Sequence, residues 1–128
     1  LRIMEEDTKK KLQADPDGLL TYEYIANHID TVEPDLSWLV DNMQRVDLSG
    51  QFVISAARYL FAIDPVRFAP YIDRLIKAGI DKDREHRYLG DLLTQMYGED
   101  YASRAAELSQ SDDNFRRIYK RLYPTSAL

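Results

Sequence analysis

Chemistry in this chain would have to come from two histidines, an abundance of carboxylates, one tryptophan and a cluster of cations near the C-terminus. His28 and His86 stand far apart, and neither has a partner at a zinc spacing such as His-x3-His. His28 falls about 100° from the middle of its apolar stripe and His86 on the margin of its own, so a surface or boundary histidine is the expected role of each. Asp81-x-Asp83-x-Glu85 and Asp15-x-Asp17-Gly18 resemble the opening of a calcium loop. Both lack the glycine and the terminal bidentate glutamate at the required positions, so their acids are expected to stabilise helix N-termini instead. There is no glycine-rich phosphate loop, G-x-S-x-G elbow or H-E-x-x-H helix. Asp30, Asp41, Asp64 and Asp73 are candidates for joint-bracing acids rather than for a general acid and base, which would also need a pocket and a shifted pKa. The chain is therefore read as a non-enzyme with no catalytic residue, metal or cofactor.

Two features point to binding. Trp38 lies about 140° from the middle of the stripe made by Leu36, Leu39, Val40 and Met43, among Asp41, Asn42 and Arg45, on the 100° helical wheel. A tryptophan there is an exposed anchor unless another helix covers it, and tryptophan, tyrosine and arginine are the usual energetic centres of interfaces. Trp38, Asp41, Arg45 and Tyr24 are the candidate partner-binding residues, and Tyr88 and Tyr123 also stand off the core stripes. The second feature is the stripe Arg116, Arg117, Lys120 and Arg121, which sits opposite the apolar face of the last helix. Its expected role is a solvated face that complements the helix dipole, with Asp113 pairing to Arg117. Docking to an acidic partner, or phosphate contacts aided by stacking on Tyr119 or Tyr123, are the alternatives.

Composition limits these options. The 128 residues suit one domain, whose core needs no metal or disulfide. The absence of cysteine excludes thiolate chemistry and fits a reducing, cytoplasmic setting. A net charge of -5 argues against general attraction to nucleic acid or to an anionic membrane. No stretch approaches the ~20 apolar residues of a membrane span, and residues 1–12 lack the apolar centre of a signal peptide. The chain begins with Leu1 rather than Met, consistent with trimming.

Apolar periodicity predicts the elements that position these residues. A thin stripe of Ile3, Met4 and Leu12 suggests a first helix over 1–14, and Asp15-Pro16-Asp17-Gly18 is turn chemistry. Helices follow over about 18–30 and 34–46, the latter opened by Pro34. Ser49 offers a cap oxygen for a fourth helix that is apolar almost all round and hence central. Pro70 implies a turn at 65–69 and a fifth helix over about 70–78, with Gly79 as its left-handed terminator. Asp81 or Asp83 caps a sixth helix that Gly98 ends, a seventh spans 99–109, and an eighth spans 113–123 before Pro124.

An internal echo runs through this pattern. Ile29-Asp30, Pro34 and Trp38-Leu39 return as Ile63-Asp64-Pro65 and Tyr71-Ile72, 33 to 34 residues on. Met96-Tyr97 and Ala105 give a looser third copy. The echo resembles HEAT-type and related helical-hairpin repeats over roughly residues 20–110, a period that suits stacked helix pairs. That resemblance implies seven to eight short antiparallel helices in a right-handed array. An irregular helical bundle is the alternative within the all-α class. In either case 1–128 forms one domain, with 15–110 as the helix-pair array and 111–128 as an amphipathic C-terminal helix. The favoured function is a scaffold, adaptor or inhibitor-type protein-binding module, with self-association left open. A nucleic-acid-associated domain using the last helix and a ligand-binding or enzymatic bundle with a carboxylate-lined cavity are the alternatives.

Overall fold

The computed structural model describes residues 4–125. Among them the chain is all-α, with no strand and eight α-helices: α1 (Glu6–Gln13), α2 (Leu19–Asn27), α3 (Leu36–Val46), α4 (Gln51–Ile63), α5 (Ala69–Lys82), α6 (Leu92–Tyr97), α7 (Ala105–Ser111) and α8 (Asp113–Leu122). Short 3-10 turns at Glu33–Asp35, Leu89–Asp91 and Tyr101–Arg104 lead into α3, α6 and α7. Ile3, assigned from the sequence to the first stripe, lies outside the described residues.

Two differences from the sequence-based expectation have clear causes. The fifth helix does not stop at Gly79. It continues to Lys82, because Gly79 is a buried helical residue against which α4 packs, not a terminator. The sixth helix is only six residues long. The preceding segment is held instead by Asp83, whose carboxylate takes the amides of Arg87, Tyr88 and Leu89.

The helices form two layers around one hydrophobic cluster. In one layer α4 lies between α2 and α6, and in the other α5 lies between α3 and α8, with α1 laid against α3. The near-apolar circumference of α4 has this cause: it touches α2, α3, α5 and α6 and buries Val53, Ile54, Ala56, Ala57 and Leu60. Likewise every member of the α3 stripe, Leu36, Leu39, Val40, Met43 and Val46, is buried.

The joints carry a repeated device that the echo does not contain. Asp15, Asp47 and Asp83 are all buried. Each turns its carboxylate back onto the amides that open the following segment. Asp15 Oδ1 accepts from the amides of Asp17 and Gly18, and its Oδ2 from the Thr21 amide and hydroxyl. Asp47 Oδ1 accepts from the amides of Ser49 and Gly50, and its Oδ2 from those of Phe52 and Val53. The residue three beyond each aspartate is left-handed: Gly18 at φ 107°, Gly50 at φ 90° and His86 at φ 59°. The three turns also stack in series, since a Cβ on Gly18 would meet Asp47 Cβ at 3.1 Å and one on Gly50 would meet Asp83 Cβ at 3.2 Å.

Asp47, rather than Ser49, therefore anchors the start of α4, while the Ser49 hydroxyl accepts only from the Gln51 amide. Of the acids in the Ile-Asp echo, Asp64 caps its turn through the amides of Val66 and Arg67, whereas Asp30 is exposed. Counted back from the buried aspartates, Pro34 corresponds to Pro70 and Trp38 to Arg74, not to Tyr71.

Burial alone would raise the carboxyl pKa of Asp15, but bonds from Thr21, Gly18 and Asp17 outweigh it and hold the pKa below 3.8. In the unfolded chain this group gains its proton first as pH falls. Its contribution to stability is thus complete above about pH 5 and is lost as pH falls through 3.8 toward the depressed folded value. Urea unfolding across that acid range should show a shallower loss of stability for Asp15→Asn than for the native chain. An identical acid slope would refute this role.

Candidate functional site

α1 and α3 meet along a seam that ends in an open groove of about 420 Å³, lined by Gln13, Trp38, Asp41, Asn42 and Arg45. The wheel position of Trp38 keeps it off the buried stripe, and α1 covers part of it. The indole is half-buried against the core, with Lys9 Nζ 5.7 Å from the ring centroid. Trp38 is therefore neither the fully exposed anchor nor the core residue between which the sequence left the choice. One portion of the indole is packed and the other faces the groove.

The polar side of this groove is fixed from below. Arg45 donates to the Gln13 carbonyl at 2.9 Å and to Asn42 Oδ1 at 2.7 Å. Buried Asn42 donates through Nδ2 to the Leu12 carbonyl at 2.8 Å and to Thr21 Oγ1 at 3.1 Å. Thr21 in turn donates to Asp15. A continuous relay thus ties the groove to the first joint and pins the C-terminal end of α1 onto α3. Asp41 is held by Arg74, which also reaches Ser37. These bonds remove most rotamer freedom from the groove wall before any ligand arrives, which lowers the ordering cost of binding. Thr21 and Gln13 were not anticipated from sequence, and Asn42 reads there only as a polar neighbour of Trp38, not as the buried link of this relay.

Tyr24 does not join this site. It lines a separate, more enclosed hollow of about 220 Å³ with His28, Glu5, Thr8, Val32 and Asp35. Its ring stacks on His28 at a centroid distance of 4.0 Å, and His28 Nδ1 lies 2.9 Å from the Tyr24 carbonyl. Among the described residues, no group of three or more histidine, aspartate or glutamate side chains could hold a metal ion.

The basic stripe of α8 is divided. Arg116 turns to Asp113 at 2.9 Å, taking the acid expected to pair with Arg117. Arg117 instead donates to Asn114 Oδ1, and Asn114 donates to Asp73. Arg117, Lys120 and Arg121 face Lys77, Ile80 and Asp81 of α5 across an open groove of about 530 Å³. Aromatic residues occupy the other side of α8. Phe115 stacks on Tyr119 at 5.4 Å, and Tyr119 lies 4.7 Å from Tyr123. Burial raises the Tyr97 phenol above its ordinary range, and the neighbouring Asp112 carboxylate, which its hydroxyl touches at 2.9 Å, adds to that shift. The Tyr101 phenol is pushed up to about 12, chiefly by its hydrogen bond with the Tyr123 hydroxyl. Both hydroxyls are thus neutral: that of Tyr97 donates to Asp112, that of Tyr101 shares a hydrogen bond with Tyr123, and the two contacts tie the last helices together.

No family model matches this chain, and neither characterised proteins nor solved structures yield a significant match. The chain is thus placed by its structure alone: among the described residues it is an all-α, two-layered helical protein with an aromatic groove between α1 and α3. No helix among the described residues is long and apolar enough to cross a membrane.

Proposed function

We propose that this protein is a non-enzymatic interaction module of the helical-hairpin type. In this reading the α1/α3 groove receives a polypeptide segment that lays an apolar side chain against Trp38. The observation that carries the reading is the half-covered indole set beside a wall whose polar groups are already bonded. Rigid aromatic surface with little ordering left to do is what interface centres require. The chemistry of the acids supports it as well. Asp15, Asp47 and Asp83, the buried aspartates, are committed to backbone amides. They are therefore poor choices as proton donors or acceptors toward a substrate.

The test uses the single tryptophan of the chain, whose emission reports this groove alone. Proteins captured from a lysate by the native chain and lost with Trp38→Ala would be purified and titrated back. A blue shift of the Trp38 emission on saturation is expected, together with at least about a tenfold loss of affinity for Trp38→Ala. Because the ring is half-packed, that variant should cost about 1 to 2 kcal/mol of stability and remain folded. Unchanged capture by a folded Trp38→Ala protein would overturn the proposal.

A further inference from the structure

We infer that the groove between α5 and α8 is a second docking surface, built for a short acidic polypeptide segment that carries an apolar side chain. It does not depend on the reading of Trp38, because it uses neither the same helices nor the same residues.

The sequence builds the groove from two triads of matching geometry. On α8, burial of Phe115 and Ile118 sends Arg117, Lys120 and Arg121 to the flank at i, i+3 and i+4. On α5, burial of Ile72, Leu75, Ile76 and Gly79 sends Lys77, Ile80 and Asp81 to the facing flank at the same spacing. The two helices pack together, so the triads become opposite walls. One wall alone would be a solvated basic face. Two walls with an aliphatic residue between them form a cleft with four cations, one carboxylate and the half-buried Ile80. Among the described residues no carboxylate forms an ion pair with Lys77, Arg117, Lys120 or Arg121, although elsewhere on the surface six such pairs form. Cations left unpaired and held side by side on an acidic protein constitute an uncompensated local field.

That field selects the occupant. The molecule carries a net charge of -5, so a long polyanion lying beyond the groove would meet repulsion. A segment confined to the groove feels chiefly the local cations, because screening limits interaction between exposed charges to about 8 Å at physiological salt. α8 has ten residues and thus runs for roughly 15 Å, room for about four or five extended residues. Such a segment can place two or three carboxylates on the cations and one aliphatic side chain on Ile80. A polynucleotide could satisfy the cations with its phosphates but would present nothing apolar to Ile80.

The probe is a dye-labelled peptide of alternating glutamate and leucine, followed by fluorescence anisotropy. It should bind the native chain, weaken at least about tenfold between low and high salt, and weaken by a similar factor with Lys77→Glu and with the pair Lys120→Glu, Arg121→Glu. Lys77, Lys120 and Arg121 are exposed, so these variants should keep the native helical circular dichroism. Trp38→Ala should bind the peptide as the native chain does, which separates failure here from failure of the α1/α3 reading. Absence of peptide binding would overturn the inference. So would loss confined to the α8 variant with Lys77→Glu unaffected, because the second wall would then do nothing. Tighter binding of a labelled single-stranded oligonucleotide that responds to the same substitutions would replace the acidic peptide with nucleic acid.

Discussion

Asp47→Ala is expected to lower the unfolding free energy by about 3 to 5 kcal/mol, a large share of the roughly 6 to 19 kcal/mol that 128 residues usually command. Asp47 is fully buried and accepts from four backbone amides at 2.8 to 3.1 Å, in addition to the Ser49 hydroxyl. A cap to one or two amides is worth about 1 to 2 kcal/mol. Here the turn into α4 and the first amides of the central helix are lost together. Water cannot replace the carboxylate cheaply, since Gly18 packs against the Asp47 Cβ from the neighbouring turn. Asp47→Asn should fall between the native chain and the alanine variant, because an amide nitrogen cannot accept from Phe52 or Val53. Ser49→Ala should cost under about 1 kcal/mol, since its hydroxyl serves one exposed amide. Urea midpoints for the three variants test this ordering. A loss for Asp47→Ala no greater than that for Ser49→Ala would show that the aspartate is dispensable to the joint.

The contrast between Asp47 and Ser49 marks the limit of what the sequence made legible. Stripes such as Leu36-Leu39-Val40-Met43 specify a buried helix face directly, and the near-apolar Gln51–Ile63 segment specified a helix with neighbours on several sides. Joint chemistry is different. An aspartate before a turn has the same local composition whether it is solvated or folded back over amides five and six residues later. The sign that could have separated the two was present: Asp-x-x-Gly at 15–18 and 47–50, followed three residues on by Thr21 and Val53. The more conspicuous Ile-Asp echo masked it, because residues 30 and 64 share their letters but not their surroundings. His86 also obscured the third copy, as it stands in the left-handed conformation where the first two turns have glycine.

Site residues show the same division. The off-stripe position of Trp38 was readable from the helical wheel, but the lysine above it and the relay through Asn42 and Thr21 to Asp15 depend on helices that lie far apart in the chain. Lys77 and Arg117 are forty residues apart, and nothing in either local pattern announces that α5 and α8 are neighbours. Periodicity reports what each helix hides. Which exposed flanks then face one another is decided by the packing of the hidden ones.

Gly79 is where that packing is tightest, and Gly79→Val should destabilise the protein by about 3 kcal/mol. A Cβ at this position would lie 2.6 Å from Ile54 Cγ1, inside any tolerable contact, and a tight 3.1 Å from Ile54 Cδ1. The α4–α5 interface is the most extensive in the molecule, so the helices cannot separate at this point without disturbing both layers. Helix propensity acts in the opposite direction, because glycine is worse than alanine in a helix interior by about 1 kcal/mol. For Gly79→Ala the two effects partly offset, and a smaller loss of about 1 kcal/mol is expected. Valine adds branched methyl groups to the same clash and gains less propensity, so it should lie well below alanine in stability. Ile54→Ala supplies the decisive control. Alone it should cost about 2 to 4 kcal/mol through the cavity it leaves, but combined with Gly79→Val it should cost less than the sum by at least about 1 kcal/mol. Strict additivity in that cycle would mean that Ile54 and residue 79 do not share space, and the close approach of α4 to α5 would need another explanation.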